Sequence, residues 1–293
     1  MKHQTITPKE VPPGATSRRR SAQSNIFQRI AAVPHTVWTV MFIVAPMLFV
    51  LYFAFTDAEG NFSLSNITHL SQYTNVFILS IAFALIATAV CLLIGYPLAY
   101  FMSRQSPKAQ KVLMVLIMLP MWCNLLIRTY ALMALLDNGG LLNSLLKSWD
   151  LEPLPIVGSY FGVILGMVYD FLPYMVLPIF TAMTKLDHRF IEASQDLGCN
   201  SWQTMTKVIM PLTLSGVVSG VTMVFVPSIS TFYISQKLGA GKIDLVGDTI
   251  ERLFQNASTY SVGAAMSLMM MILILISVAI MNKFSDDEGG IVP

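Results

Sequence analysis

The sequence predicts an all-α integral membrane fold with six transmembrane helices, on three observations: a charge-poor composition, six long apolar runs, and the one-sided distribution of basic residues. Of the 293 residues, 55% are hydrophobic and 12% charged, and mean hydropathy is +0.64. A soluble domain carries about 25% charged residues, so this chain has too few charges to cover a water-facing surface. Its net charge of +2 says little by itself, and the position of each charge says more.

The apolar runs fall at residues 34–55, 77–102, 112–136, 157–182, 211–234 and 261–281. Each has about the length of a bilayer-spanning helix, roughly 20 residues at 1.5 Å rise. Helices are the form expected, because lipid leaves backbone N–H and C=O groups unsatisfied and the runs are too continuous for the alternating strands of a barrel. Residues 1–33 are polar, rich in Pro and Ser, and read as a disordered cytoplasmic tail. The first apolar run is too long for a cleaved signal peptide. Residues 34–283 form the expected membrane domain, with a connecting loop at 184–210, and residues 284–293 a second cytoplasmic tail.

Basic residues set the orientation. Thirteen lie on one side: Lys2, Lys9, Arg18, Arg19, Arg20 and Arg29 in the tail, Arg104, Lys108 and Lys111 in the second connection, Lys185, Arg189 and Lys207 in the fourth, and Lys283 at the end. The other side holds only Lys147, Lys237, Lys242 and Arg252, and Arg128 falls inside the third run. Both termini are therefore expected in the cytoplasm. Pro46, Gly95, Pro97, Pro120, Pro173, Pro178 and Pro227 interrupt the runs, as suits a water-lined path, although membrane helices are richer in Pro and Gly in any case.

The loop from Thr184 to Met210 carries the most specific pattern. Asp187 is a candidate N-cap, and Phe190, Ile191, Ser194 and Leu197 follow on one face at helical spacing. Gly198 stands where a left-handed C-terminal residue is expected, Ser201 is placed to cap a second short helix, and Pro211 to begin the next span. Glu192, Ala193 and Ser194, then three residues, Gly198, nine residues, and Val208 to Pro211 resemble the E-A-A-x3-G-x9-I-x-L-P loop of binding-protein-dependent ABC importer permeases. Ser194, Val208 and Met210 depart mildly from it. The resemblance implies the type I importer permease fold, with this loop as the coupling helix that docks on an ATPase subunit. Glu192, Ala193, Ser194, Gly198 and Pro211 are then the ATPase-coupling residues.

The resemblance runs along nearly the whole chain after the tail and is closest to the first permease subunit of spermidine/putrescine importers, in Leu119–Leu136, Leu136–Leu146, Phe171–Phe180 and Phe225–Ser235. It implies a multi-pass protein of the bacterial cytoplasmic (inner) membrane that imports polyamines with energy from ATP. The implied partners are a second, homologous permease, two ATP-binding cassette ATPase subunits, an extracytoplasmic solute-binding protein and membrane lipid. Permeases for thiamine, ferric iron or phosphonates share the loop and fold. A secondary transporter working without an ATPase is the alternative class.

Within the spans, two ionisable residues stand out, since such groups face a cavity or a partner. Asp170 lies between Tyr169 and Phe171 and near Tyr174, so it either offers a counter-charge to a cation with aromatic faces beside it or pairs with Arg128 at similar depth. Trp122, Asn124, Phe232 and Tyr233 complete the candidate substrate path, with Phe232 and Tyr233 as a gate by resemblance or as interfacial aromatics. Outer acidic residues, Asp57, Glu59, Asp137, Asp150, Glu152, Asp244, Asp248 and Glu251, are candidate contacts for a docked binding protein.

No catalytic residue, cofactor, metal site or nucleic-acid surface is expected. Cys91, Cys123 and Cys199 are far apart, and no paired metal ligands or nucleophile motif occurs. Gly239-Ala240-Gly241-Lys242 resembles a fragment of a phosphate-binding loop but lacks the first Gly and the final Ser or Thr of the full pattern. It reads as a turn.

Overall fold

The computed structural model describes residues 32–56 and 61–286. The expected tails at 1–33 and 284–293, and Asp57 and Glu59, lie wholly or mostly outside the described residues. Two units are present, residues 1–52 and 53–293. The described part of the first is most of helix α1 (Ala32–Ala54), which includes a π-helical stretch at Val40–Val44. Val37, Met41, Phe42 and Phe49 are all exposed on it, the all-round apolar surface of a helix made for lipid or a membrane partner.

In the second unit, a short turn of helix at Ser65–His69 leads into α2 (Thr74–Ser103). Then come α3 (Pro107–Trp122), α4 (Leu125–Leu136), α5 (Leu141–Ser148), α6 (Tyr160–Thr184) and α7 (His188–Asp196). Helix α8 (Ser201–Leu212) meets α9 (Leu214–Ser230) at a 67° bend. The chain ends in α10 (Tyr233–Leu238), α11 (Val246–Phe254) and α12 (Tyr260–Asp286). Among the described residues, five helical stretches are long and apolar enough to cross a membrane, six if the bent α8–α9 pair is one span.

The core is the mutual packing of α2, α6 and α9. Small residues let these helices approach: Ala84, Ala87, Cys91 and Ala99 on α2 are fully buried. A Cβ on Gly95 would meet Met175 and Val176, and one on Gly216 or Gly220 would press on the α6 backbone at Pro178 or Met175. Between membrane helices, where lipid is as apolar as the side chains, such close backbone packing is a main source of association. Pro97, Pro173, Pro178 and Pro227 all sit inside continuous helices.

Two spans differ from their expected form. The third run, 112–136, is broken between α3 and α4: Cys123 is extended, and the Asn124 side chain accepts the Leu126 N–H at 2.8 Å to start a new helix. The helix reopens three residues beyond Pro120, which has no N–H to donate. The fifth span begins at Leu214 and ends at Ser230 rather than covering 211–234. Pro211 does not open it but lies at the end of α8, next to the bend at Thr213. The Thr213 hydroxyl is fully buried, bonded to the Ile209 carbonyl at 2.8 Å and to the Tyr96 hydroxyl of α2 at 3.1 Å, which fixes the bend to the core.

Candidate functional site: a connecting loop and an intramembrane ion pair

The loop between α6 and α9 is organised by local capping. The Asp187 carboxylate accepts the Arg189 N–H at 3.0 Å and starts α7. Gly198 has φ +82°, and Gly198 N–H and Cys199 N–H return to the Gln195 and Ser194 carbonyls at 2.9 and 3.0 Å, closing α7 with a left-handed residue. The cap of α8 is Asn200, not Ser201: Asn200 and Gln203 each accept the other's backbone N–H, at 2.8 and 3.0 Å. Ser201 falls one position inside. An Asn paired with a Gln three residues on is the stronger cap because it satisfies two free donors at once.

The expected apolar face of α7 is divided. Ile191 and Ser194 are buried, whereas Phe190 is exposed and Leu197 is 85% exposed. Ile191 points inward and lines, with Tyr100, Ser103, Met183 and Ile209, a cavity of about 30 Å³ at the ends of α2 and α6. The Ser194 hydroxyl donates to the Ile191 carbonyl at 2.7 Å and meets the Thr204 hydroxyl at 3.0 Å. This buried contact, which an alanine lacks, ties α7 to α8. Glu192, Ala193 and Pro211 face solvent, and exposed Phe190, Leu197 and Trp202 leave an apolar outer surface on a braced support.

Inside the membrane region, the structure brings Arg128 of α4 and Asp170 of α6 together as an ion pair, with side chains 8% and 1% exposed. Two further contacts support the pair: Thr129 Oγ1 meets Asp170 Oδ2 at 3.4 Å, and Arg128 Nη1 donates to the Pro120 carbonyl at 3.0 Å. The Arg128 guanidinium also lies 5.8 Å from the centre of the Tyr169 ring. A charge pair away from water persists only when its other hydrogen-bonding capacity is filled, and here the break in the third span supplies that filling through the Pro120 carbonyl.

The remaining path candidates separate. Tyr169 of α6 is exposed beside the pair, Tyr174 of α6 and Trp122 of α3 are also exposed, and Asn124 is used as a helix cap. Phe232 and Tyr233 point apart: Phe232 lines a cavity of about 450 Å³ with Ser230, Glu251, Met270 and Ile274, and Tyr233 packs edge-on against Tyr130 of α4 with ring centres 5.8 Å apart. The sequence reading missed Tyr130, Thr129, Thr204 and Lys237. Of these, Lys237 had a signal, since it stands four residues after Tyr233 on one helix and so shares its face.

The outer acidic residues have varied surroundings. Asp244 pairs with Arg252 at 3.0 Å, and Glu251 accepts from Gln236. Asp248 is buried and accepts the Leu245 N–H at 3.0 Å. Burial raises its pKa to about 6, against the lowering effect of Ser235 and the Leu245 N–H. Gly239 to Lys242 is a turn, with Ala240 and Gly241 at φ 49° and 70° and the Lys242 N–H bonded to the Gly239 carbonyl at 2.9 Å.

Comparison with known proteins accounts for this architecture. Residues 92–287 match the family described as binding-protein-dependent transport system inner membrane component. The spermidine/putrescine transport system permease protein PotB of Haemophilus influenzae is 38% identical over 84% of this chain and 89% of its own length. PotB of Escherichia coli is 36% identical over 79% of this chain and 88% of its own length. A solved bacterial ABC transporter that imports the acidic polysaccharide alginate has a chain of the same fold, with a TM-score of 0.74 at 17% identity over 92% of this chain and 98% of that one. The chain is thus a multi-pass inner-membrane permease that belongs to the family of binding-protein-dependent transport system inner membrane components.

Proposed function

We propose that this chain is one of two homologous permease subunits of an ATP-driven importer that carries polyamines, spermidine and putrescine among them, into the cytoplasm. The observation that carries this reading is the 38% identity to a spermidine/putrescine permease along 84% of the chain. In this reading both termini are cytoplasmic, and the loop at 184–210 faces the ATPases. ATP is hydrolysed on two separate ATPase subunits, and an extracytoplasmic binding protein delivers the substrate.

Each part of the site then has a mechanical task. Exposed Phe190, Leu197 and Trp202 seat α7 in a groove of the ATPase, and Glu192 adds a polar contact at the same surface. The Gly198 turn, the Ser194–Thr204 contact and the Thr213–Tyr96 bond make the loop rigid enough to pass the ATPase movement into α2 and α6. Closure of the ATPases draws the two loops together and reorients the permease halves as rigid bodies between discrete states. Arg128 and Asp170 pin α4 to α6, so that the broken third span moves with the core. Tyr169, Tyr174 and Trp122 supply aromatic faces on the path, surfaces that attract alkylammonium groups.

Uptake of radiolabelled spermidine and putrescine into proteoliposomes tests the reading, with this chain, a second permease, the ATPase and the binding protein reconstituted together. Uptake should need both ATP and the binding protein and should be lost on disrupting Glu192 and Gly198. Coupled ATP hydrolysis without polyamine uptake would keep the permease role and reject the substrate. Uptake with no ATPase present would reject the ATP-driven class.

A further inference from the structure

Helix α11 carries a polar stripe in which Asp248, Glu251, Arg252 and Gln255 follow one another at helical spacing, while Val246, Thr249 and Leu253 on its other side are buried. The stripe borders a cavity of about 260 Å³, to which Asp244 and Gln236 also contribute. This cavity belongs to the connection between α9 and α12, at the end of α9 remote from the loop at 184–210.

Three carboxylates thus share the cavity with one guanidinium. Asp244 pairs with Arg252 at 3.0 Å, and Glu251 accepts from the Gln236 amide. Asp248 is placed differently. It is 4% exposed, and its part in capping α11 occupies only Oδ2, which accepts the Leu245 N–H at 3.0 Å. Oδ1 has no hydrogen-bond partner among the described residues, because the neighbouring Ser235 hydroxyl donates its proton to the Phe232 carbonyl at 2.9 Å. Burial raises the Asp248 pKa to about 6, Asp244 and Glu251 add to the rise, and no cation opposes it. A buried carboxylate oxygen without a donor is costly, and a ligand that brings N–H donors removes that cost.

The arrangement selects among cations. Among the described residues, no group of His, Cys, Asp and Glu is placed to hold a metal ion, so these carboxylates do not converge on one point. A primary ammonium carries three N–H donors. A chain with ammonium groups several methylenes apart reaches more than one carboxylate, which a compact ion does not.

We propose that this cavity is a binding site for a linear polyamine, with one primary ammonium donating to Asp248 Oδ1 and a second group neutralised by Glu251. None of Trp122, Tyr169 and Tyr174 lines it, so it is separate from the intramembrane path. Its place in transport rests on the polyamine reading above: it holds the cation on the face opposite the loop at 184–210, before the path is reached.

The test uses the complex of both permeases and the ATPases in lipid nanodiscs, with Gln255→Cys as a reporter at the cavity. The rate at which a neutral maleimide modifies residue 255 is read by mass spectrometry, with and without spermidine. Spermidine should slow the modification severalfold and saturably, whereas NaCl of matched ionic strength should not. Asp248→Asn, which keeps an acceptor for the Leu245 N–H, and Glu251→Gln should each raise the half-protecting concentration about tenfold. No protection, protection matched by NaCl, or protection unchanged in both carboxylate variants overturns the site. Protection by the polyamine-free binding protein and not by spermidine overturns it as well, since the cavity then belongs to a docked protein. Uptake by the unaltered, fully reconstituted importer is measured in parallel. If that importer carries no polyamine while spermidine still protects residue 255, the substrate reading fails and the site stands; if it carries polyamine and residue 255 is unprotected, only the site fails.

Discussion

The loop at 184–210 and the Arg128–Asp170 pair place polar groups in opposite ways. In the loop, each cap is made by residues within a few positions of the helix end it serves: Asp187 for α7, Asn200 with Gln203 for α8, Gly198 between them. The intramembrane pair joins α4 to α6 across 42 residues of sequence, and its third partner, the Pro120 carbonyl, lies where the third span breaks and also accepts the Cys123 N–H at 3.2 Å. The loop shows how an exposed surface stays defined by local caps and one buried contact. The pair shows that an ionisable residue inside a membrane helix is tolerated when the fold itself supplies a counter-charge and hydrogen-bonding partners.

That contrast predicts unequal sensitivity. The largest effect belongs to the pair: Arg128→Met or Asp170→Asn alone leaves a stranded buried group and should cost about 3–5 kcal/mol. The measurement is the yield of monodisperse complex and its thermal midpoint in lipid nanodiscs. Replacing both residues by neutral ones should recover part of the loss, whereas strictly additive losses would break the claim that they act as a unit.

Asp248 lies between the two extremes, since it is buried but capped locally. Its pKa is about 6, raised chiefly by burial, with Asp244 and Glu251 adding to the rise. A carboxyl whose folded pKa lies above its unfolded value favours the folded state while protonated and loses that contribution as pH climbs from about 4 through 6. A shift of this size corresponds to roughly 2–3 kcal/mol. Asp248→Asn should keep an acceptor for the Leu245 N–H and raise the thermal midpoint at pH 7.5, and raise it clearly less at pH 4.5, since the difference fades only as pH falls below the unfolded pKa. An equal change at both values would mean the gain has another origin.

The loop should respond least in stability and most in coupling. Gly198 has φ +82° and open space where a Cβ would stand, so Gly198→Ala adds backbone strain without a clash, about 1 kcal/mol. ATP hydrolysis should persist while uptake per ATP falls. Ser194→Ala removes the contact with Thr204 and costs about 1 kcal/mol or less, with a smaller fall in the same ratio. Stability losses in the loop as large as those at the pair would erase the distinction between the two regions.

The same distinction explains what was legible in the chain. The apolar runs, the Asp187 cap and the Gly198 turn are local, and each could be placed from spacing and residue type. Sequence spacing put Asn200 beyond notice beside Ser201, since only the reciprocal contact with Gln203 separates two good capping residues. It also drew one face through Phe190, Ile191, Ser194 and Leu197, where packing against α2 and α6 buries only Ile191 and Ser194. Phe232 and Tyr233 were read as a pair, and the end of α9 at Ser230 turns them to opposite sides.

By itself the sequence determined the class of this protein: charge scarcity and six long apolar runs leave only membrane-spanning helices, because unpaired backbone is intolerable in lipid. It also determined the local form of the loop at 184–210, whose capping hydrogen bonds close within a few residues. The tertiary structure alone decided which partner Asp170 takes, how the third and fifth spans break, and that Tyr233 of α10 meets Tyr130 of α4. Each of these depends on groups far apart in the chain, whose meeting is set by how closely α2, α6 and α9 pack and not by any local preference.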